Sequence, residues 1–109
     1  MIHVSINRNS RGQIYGFVAL NHGKGIVCAA VSALILNAVN SIEAFTEEEM
    51  SVETPDKDGT GYIKLHLPLI EAGNDNSEVD LLLSSMMLGL DHIRNQYPSQ
   101  ITISDSGSD

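Results

Sequence analysis

Apolar and polar positions alternate through the first twenty residues, in two runs separated by a polar turn at residues 7–12. The alternating apolar positions are Ile2, Val4, Ile6, Ile14, Val18 and Leu20. Strict alternation is typical of strands that bury one face, and a polar turn between two such runs is typical of a hairpin. The sequence therefore predicts a β-hairpin over residues 1–20.

From Val27 onward the apolar residues recur at spacings of three and four positions. The positions concerned are Val27, Val31, Leu34, Ile35, Ala38, Val39, Ile42 and Phe45. This spacing places them on one face of a helix. A first helix is therefore predicted to begin near Ile26 and to end before the acidic stretch at residues 47–49.

A second pair of strands is predicted after this helix. Its apolar and β-favouring positions are Met50, Val52, Thr54, Ile63, Leu65 and Leu67. The segment between them, residues 55–59, reads Pro-Asp-Lys-Asp-Gly, which is turn composition. It lacks the remaining ligand positions and the closing glutamate of a calcium loop, so it is interpreted as a hairpin turn.

The second helix is predicted to begin near Ser77, with Asn76 or Ser77 as its cap and acidic residues in its first turn. Pro98 ends it. Its apolar stripe consists of Val79, Leu82, Leu83, Met86, Met87, Leu90 and Ile93. Beyond the proline, Ile101 and Ile103 alternate with polar residues and can add a short edge strand.

These elements predict an α+β fold. Two amphipathic helices pack on a small antiparallel or mixed sheet, in the order ββαββα with a C-terminal edge strand as an optional last element. A chain of 109 residues suits one hydrophobic core. We expect a single domain over residues 1–104 and a frayed tail over residues 105–109.

Charge and composition restrict the partners. The formal net charge of −8 argues against direct binding to nucleic-acid phosphates and suits a basic partner, or solubility alone. The N-terminus alternates like a strand rather than a signal peptide, and no apolar run is expected to approach the length of a membrane span. A cytoplasmic location without membrane contact is expected. His3, His66 and His92 show no metal-ligand spacing, so no cofactor is expected either.

Cys28 is the candidate for chemistry, because it is the chain's single cysteine and lies at the start of the first predicted helix. A single cysteine excludes an intrachain disulfide and a multi-cysteine zinc site. Unpaired N–H groups and the helix dipole at a helix start favour a thiolate. His22, six positions earlier, can serve as its base. The alternative is that Cys28 is a small buried hydrophobic residue.

The segment from Ile26 to Leu34, Ile-Val-Cys-Ala-Ala-Val-Ser-Ala-Leu, resembles the signature of the bacterial ribosomal-processing cysteine proteases. His22 stands at the position of the family's histidine. Similarity continues through residues 40–43, Gly61-Tyr62 and residues 87–90, so it covers nearly the whole chain. The signature around the cysteine is specific, and the chain is identified as resembling this family.

The resemblance implies an activity and a set of site residues. Members are homodimeric endopeptidases that remove a short N-terminal extension from the twenty-seventh protein of the large ribosomal subunit, cutting after a Phe-Phe pair. Cys28 takes the place of the family's nucleophile and His22 that of its general base. Ser32, one helical turn after the cysteine, is assigned a supporting hydrogen-bond role.

The chain departs from the family pattern at three points. Asn21 replaces a glycine, Gly25 replaces an aspartate, and the connection from His22 to Cys28 is shorter. The shorter connection and Gly25 favour an alternative, a catalytically impaired member that binds the ribosomal protein without cleaving it. A thiol-based redox or regulatory module using Cys28 alone is a further class, which the extent of the resemblance disfavours.

Overall fold

The computed structural model describes residues 1–21, 25–54 and 61–106. The elements are β1 (Ile2–Arg8), β2 (Ile14–Leu20), α1 (Gly25–Phe45), β3 (Ser51–Glu53), β4 (Ile63–His66), α2 (Pro68–Glu71), α3 (Ser77–Gln96) and β5 (Ile101–Asp105). The predicted α+β class and element order are confirmed, with the short helix α2 added to them. Pro68 explains this addition, since its fixed φ suits the first turn of a helix.

One five-stranded sheet, in the order β3-β4-β2-β1-β5, supports both long helices. β1 pairs antiparallel with β2 and parallel with β5, which makes the sheet mixed. The parallel register joins Ile2 to Ile101 and Val4 to Ile103. The predicted edge strand is therefore present, and it lies beside the first strand of the chain.

The predicted hairpin is confirmed and Ile14 is buried as predicted, but the predicted buried face is wrong for the rest of the second strand. Phe17 and Ala19 face the core, whereas Val18 is half-buried and Leu20 is 39% exposed. A β-bulge causes the change, because Asn7 pairs with Gly16 while the next residue, Arg8, pairs with Ile14, two positions earlier in β2. The extra residue shifts the alternation by one position.

The helices bury the faces that their apolar spacing predicts. In α1 the buried residues are Val27, Val31, Ile35, Ala38, Val39 and Ile42. In α3 they are Val79, Leu83, Met86 and Leu90. Phe45 departs from the predicted stripe and is 71% exposed, since it is the last residue of α1. Asn76 is the cap of α3, and its side-chain oxygen accepts from the N–H groups of Glu78 and Val79.

Within the described part of the chain, α1 meets the length and composition of a membrane-spanning helix. Within its 21 residues, an 18-residue stretch has a mean hydropathy of 1.9, and 33% of that stretch is buried. The prediction that no apolar run approaches that length is therefore wrong, because apolar residues such as Ile26 and Leu36 also lie on the exposed side of α1. The core helix of a soluble protein meets the same length and composition. The exposed apolar residues on the outward face of α1 therefore still need an explanation.

β5 extends further than the predicted core domain. It includes Asp105, whose carboxylate accepts one bifurcated hydrogen bond from the Nε–H of Arg8, at 2.8 Å to Oδ1 and 3.0 Å to Oδ2. This hydrogen bond is the main cause of the raised pKa of the Arg8 guanidinium. The tail is therefore tied to β1 at its first residue, while residues 107–109 and the predicted turn at 55–59 lie outside the described residues. The domain boundary itself stays a prediction.

Candidate active site

Cys28 lies in the first turn of α1, as its position in the sequence predicts. The helix begins at Gly25, whose φ of +88° is in the left-handed region that glycine adopts without strain. The Cys28 side chain is half-buried and packs at the margin of the core. It is therefore neither a fully buried apolar residue nor a freely exposed thiol.

The thiol contacts the end of β2. Cys28 Sγ lies 3.5 Å from the backbone carbonyl oxygen of Asn21, to which the S–H donates. Asn21 follows the last residue of β2 and has a φ of +65°. Its side-chain Nδ2 donates to the carbonyl oxygen of Met1 at 3.1 Å. The cysteine is thus connected through Asn21 to the start of β1.

A surface cavity of about 160 Å³ opens beside the thiol. It is lined by Met1, Ile2, Asn21, Cys28, Ser99 and Gln100. Its far wall is fixed to the sheet, because Ile2 donates its backbone N–H to the carbonyl oxygen of Gln100 at 2.9 Å. Sequence reasoning missed Met1, Ser99 and Gln100, since only the pairing of β5 with β1 brings them to Cys28.

The other predicted site residues are placed as follows. His22 lies outside the described residues. Ser32 is half-buried on α1, one turn beyond Cys28. Whether either takes part in chemistry stays a prediction.

The remaining histidines lie on separate elements. His3 is hydrogen-bonded to Thr102 at 2.8 Å, and His66 to Glu71 at 2.8 Å. His92 is exposed on α3. Across residues 1–21, 25–54 and 61–106, no group of three His, Cys, Asp or Glu side chains is arranged to hold a metal ion.

The chemistry open to this arrangement is that of a nucleophilic thiol. A cysteine in the first turn of a helix, facing a cavity large enough to admit part of a substrate, is the arrangement that nucleophilic cysteine enzymes use. The fold and this thiol site together indicate the class of protein, which is a thiol-dependent enzyme.

The chain belongs to the cysteine protease Prp family, whose model matches residues 1–102. A curated relative, the ribosomal processing cysteine protease Prp of Staphylococcus aureus strain Mu50, is 29% identical over 109 residues. That match covers 94% of this chain and 97% of the relative. The prediction of a cysteine protease of this family is thereby confirmed.

Solved structures agree with this assignment. The S. aureus ribosomal processing protease Prp with a covalently linked product peptide gives a TM-score of 0.83 at 27% identity, covering 97% of this chain and 100% of that one. The same protease with a substrate peptide gives 0.83 at 25% identity, over the same shares of the two chains. A Streptococcus mutans protein gives 0.81 at 27% identity, covering 96% and 93%. The predicted fold is therefore confirmed against experimental structures.

Proposed function

We propose that this protein is a cysteine endopeptidase that removes the N-terminal extension of the twenty-seventh protein of the large ribosomal subunit during ribosome assembly. The observation that carries the proposal is the thiol of Cys28, held at the start of α1 and facing a cavity. The relatives named ribosomal processing proteases, and the structures of one of them with substrate and product peptides, support this substrate class.

In the proposed mechanism Cys28 is the nucleophile and His22 the general base. His22 takes the thiol proton as Sγ attacks the scissile carbonyl carbon, and then gives that proton to the leaving amine when the C–N bond breaks. Water hydrolyses the thioester that remains. N–H groups in the first turn of a helix have no intrahelical acceptor, so those of α1 are available to stabilise the oxyanion.

Ser32 has a supporting role in this proposal. It follows Cys28 by four positions on α1, so the two side chains lie on the same side of the helix. From there its hydroxyl can orient a group of the site, while the bond-making atom remains Cys28 Sγ.

The net charge of −8 suits a basic ribosomal substrate. Long-range electrostatic attraction brings such a substrate to the protein in the cytoplasm.

A catalytically impaired family member is the second candidate. One observation favours it, since the first turn of α1, described from Gly25 onward, carries no acidic residue. Gly25 stands where the resemblance implies an aspartate, so this turn has no carboxylate to orient a histidine. Such a protein binds the ribosomal protein without cutting it.

One experiment separates the two candidates. The purified protein is incubated with the extended ribosomal protein, and the mass of the product is measured over time beside a binding measurement on the same pair. Loss of the extension with the parent protein, and binding without loss for Cys28→Ala, supports the endopeptidase. Binding without loss for both proteins supports the impaired member instead.

We also propose that the protein is a homodimer joined through the outward faces of α1 and α3. This α1–α3 face is defined by Ile26, Leu36, Leu81 and Leu88. These side chains are 87%, 42%, 71% and 64% exposed, respectively. The two helices meet closely, since the position of a Cβ on Gly89 is 2.8 Å from Cδ1 of Leu34. The four residues therefore belong to two helices that are in direct contact.

A second copy is the occupant that accounts for this face. Its outward residues on α1 include Ala29, Ala30 and Ala33, which are exposed and small, so another helix can approach closely. Two identical faces of this kind bury each other in a symmetric dimer. The apolar outward surface of α1 then becomes a subunit interface, which resembles a domain core more than an ordinary surface does.

A further inference from the structure

We propose that Asn21 is a positioning residue for the nucleophile, and this inference rests on the proposed function. Its backbone carbonyl fixes the Cys28 thiol at the cavity, and its side-chain amide holds that carbonyl in place. The grounds are three features of one residue: a left-handed backbone, a contact to Sγ and a hydrogen bond to Met1.

The first feature is the backbone conformation of Asn21. Its φ of +65° is one that side chains other than glycine rarely adopt, and among the described residues Asn21 is the only non-glycine with a positive φ. Asparagine tolerates this region better than most residues, because its short polar side chain can hydrogen-bond locally. The turn it makes directs its carbonyl away from the β2 ladder and toward the start of α1, where the carbonyl oxygen meets the thiol.

The second feature is the anchorage of that turn. Nδ2 of Asn21 donates to the Met1 carbonyl at 3.1 Å, one residue before the start of β1. The next residue, Ile2, donates its N–H to Gln100 at 2.9 Å. Two hydrogen bonds therefore join Asn21, the start of β1 and the opposite wall of the cavity. The position of the thiol is coupled to the shape of the cavity through Asn21.

The third feature is the thiol contact itself. An S–H···O hydrogen bond is weak, so its contribution is to orientation more than to stability. In the resting state it selects the side-chain direction that keeps Sγ at the cavity, where a scissile carbonyl has to arrive. Removal of the thiol proton breaks this contact and frees Sγ for attack. Small errors in the placement of a nucleophile are costly, about 10²-fold per ångström.

Two substitutions separate the parts of this role. Asn21→Ala removes the amide and also places a side chain poorly suited to the left-handed region. Asn21→Gly removes the amide but keeps the backbone conformation without strain. Asn95→Ala is the matched control, because Asn95 is an exposed asparagine on α3. Thermal unfolding of each variant shows that it is folded at the assay temperature.

The first measurement is peptide cleavage. Asn21→Ala is expected to lower kcat about tenfold while KM changes less than about twofold, and Asn21→Gly to fall between Asn21→Ala and the parent. Asn95→Ala is expected to match the parent. Parental kcat in Asn21→Ala, or a loss that falls on KM alone, would overturn the proposal.

The second measurement does not depend on protease activity. Cys28 is the single cysteine, so the rate of alkylation by iodoacetamide, followed by intact mass, reports on this thiol alone. Both variants keep the backbone carbonyl but lose the amide that holds it against the thiol, so alkylation is expected to be about two- to fivefold faster in each, in keeping with a weak hydrogen bond. Unchanged alkylation in both variants would overturn the proposal. If the parent cleaves nothing, the proposed function fails and the alkylation rates alone decide the role of Asn21.

Discussion

Gly16 on β2 faces the backbone carbonyl oxygen of Leu65 on β4 so closely that a Cβ at Gly16 would overlap with it. The two strands pair antiparallel at this point, with Gly16 opposite His66. A backbone oxygen in the middle of a sheet cannot move aside as a side chain can. Glycine at this position is therefore a condition for the pairing of β2 with β4.

The first prediction concerns this contact. Gly16→Ala is expected to lower the free energy of unfolding by about 1–3 kcal/mol, the usual cost of inserting a methyl group where no space exists. Chemical denaturation measures it. Gly89→Ala is the matched control. Its added Cβ meets only the flexible tip of the Leu34 side chain, and alanine has a higher helix propensity than glycine. Equal destabilisation by the two substitutions would contradict the role given to Gly16.

Much of the fold follows from the sequence because helices and strands bury residues at fixed spacings. The six buried residues of α1 are all on its predicted stripe, and Ile2, Val4 and Ile6 are buried as their alternation predicts. The residues of β2 that face the core did not follow from the sequence, because a β-bulge depends on how two strands pair. Helix α2 was missed because four residues are too few to show a helical period.

The candidate site was predictable only in part, for a similar reason. The position of Cys28 at a helix start follows from the local pattern, and the structure confirms that position. The cavity beside it depends on the parallel pairing of β1 with β5, which joins residues 99 positions apart, such as Ile2 and Ile101. No local signal in the sequence indicates that Gln100 and Met1 share a cavity with the thiol.

The second prediction concerns the subunit interface. Leu88→Glu places a charge on the α1–α3 face and is expected to convert a dimer into an 11.8 kDa monomer, as measured by light scattering at micromolar concentration. Leu69→Glu, on α2 and 46% exposed, is expected to leave the dimer intact. A parent protein that is monomeric in solution would contradict the interface, whether or not it also binds lipid vesicles.

The third prediction concerns the general base. His22→Ala is expected to slow cleavage of the extended ribosomal protein by about 10²-fold or more, the usual share of a positioned base. His92→Ala, an exposed histidine on α3, is expected to cleave at the parent rate. Single-turnover kinetics with excess enzyme measure both. Cleavage by His22→Ala at the parent rate would remove His22 from the mechanism.

The central claim is that Cys28 is the nucleophile, and the cleavage rate of Cys28→Ala tests it most directly. Loss of Sγ is expected to abolish removal of the N-terminal extension, while the fold is retained because the change is small and the side chain only half-buried. Asn95→Ala, prepared in parallel, is expected to process the substrate at the parent rate. Complete retention of the extension by Cys28→Ala, beside full processing by the parent, is the predicted result. Processing by Cys28→Ala at the parent rate would contradict the account.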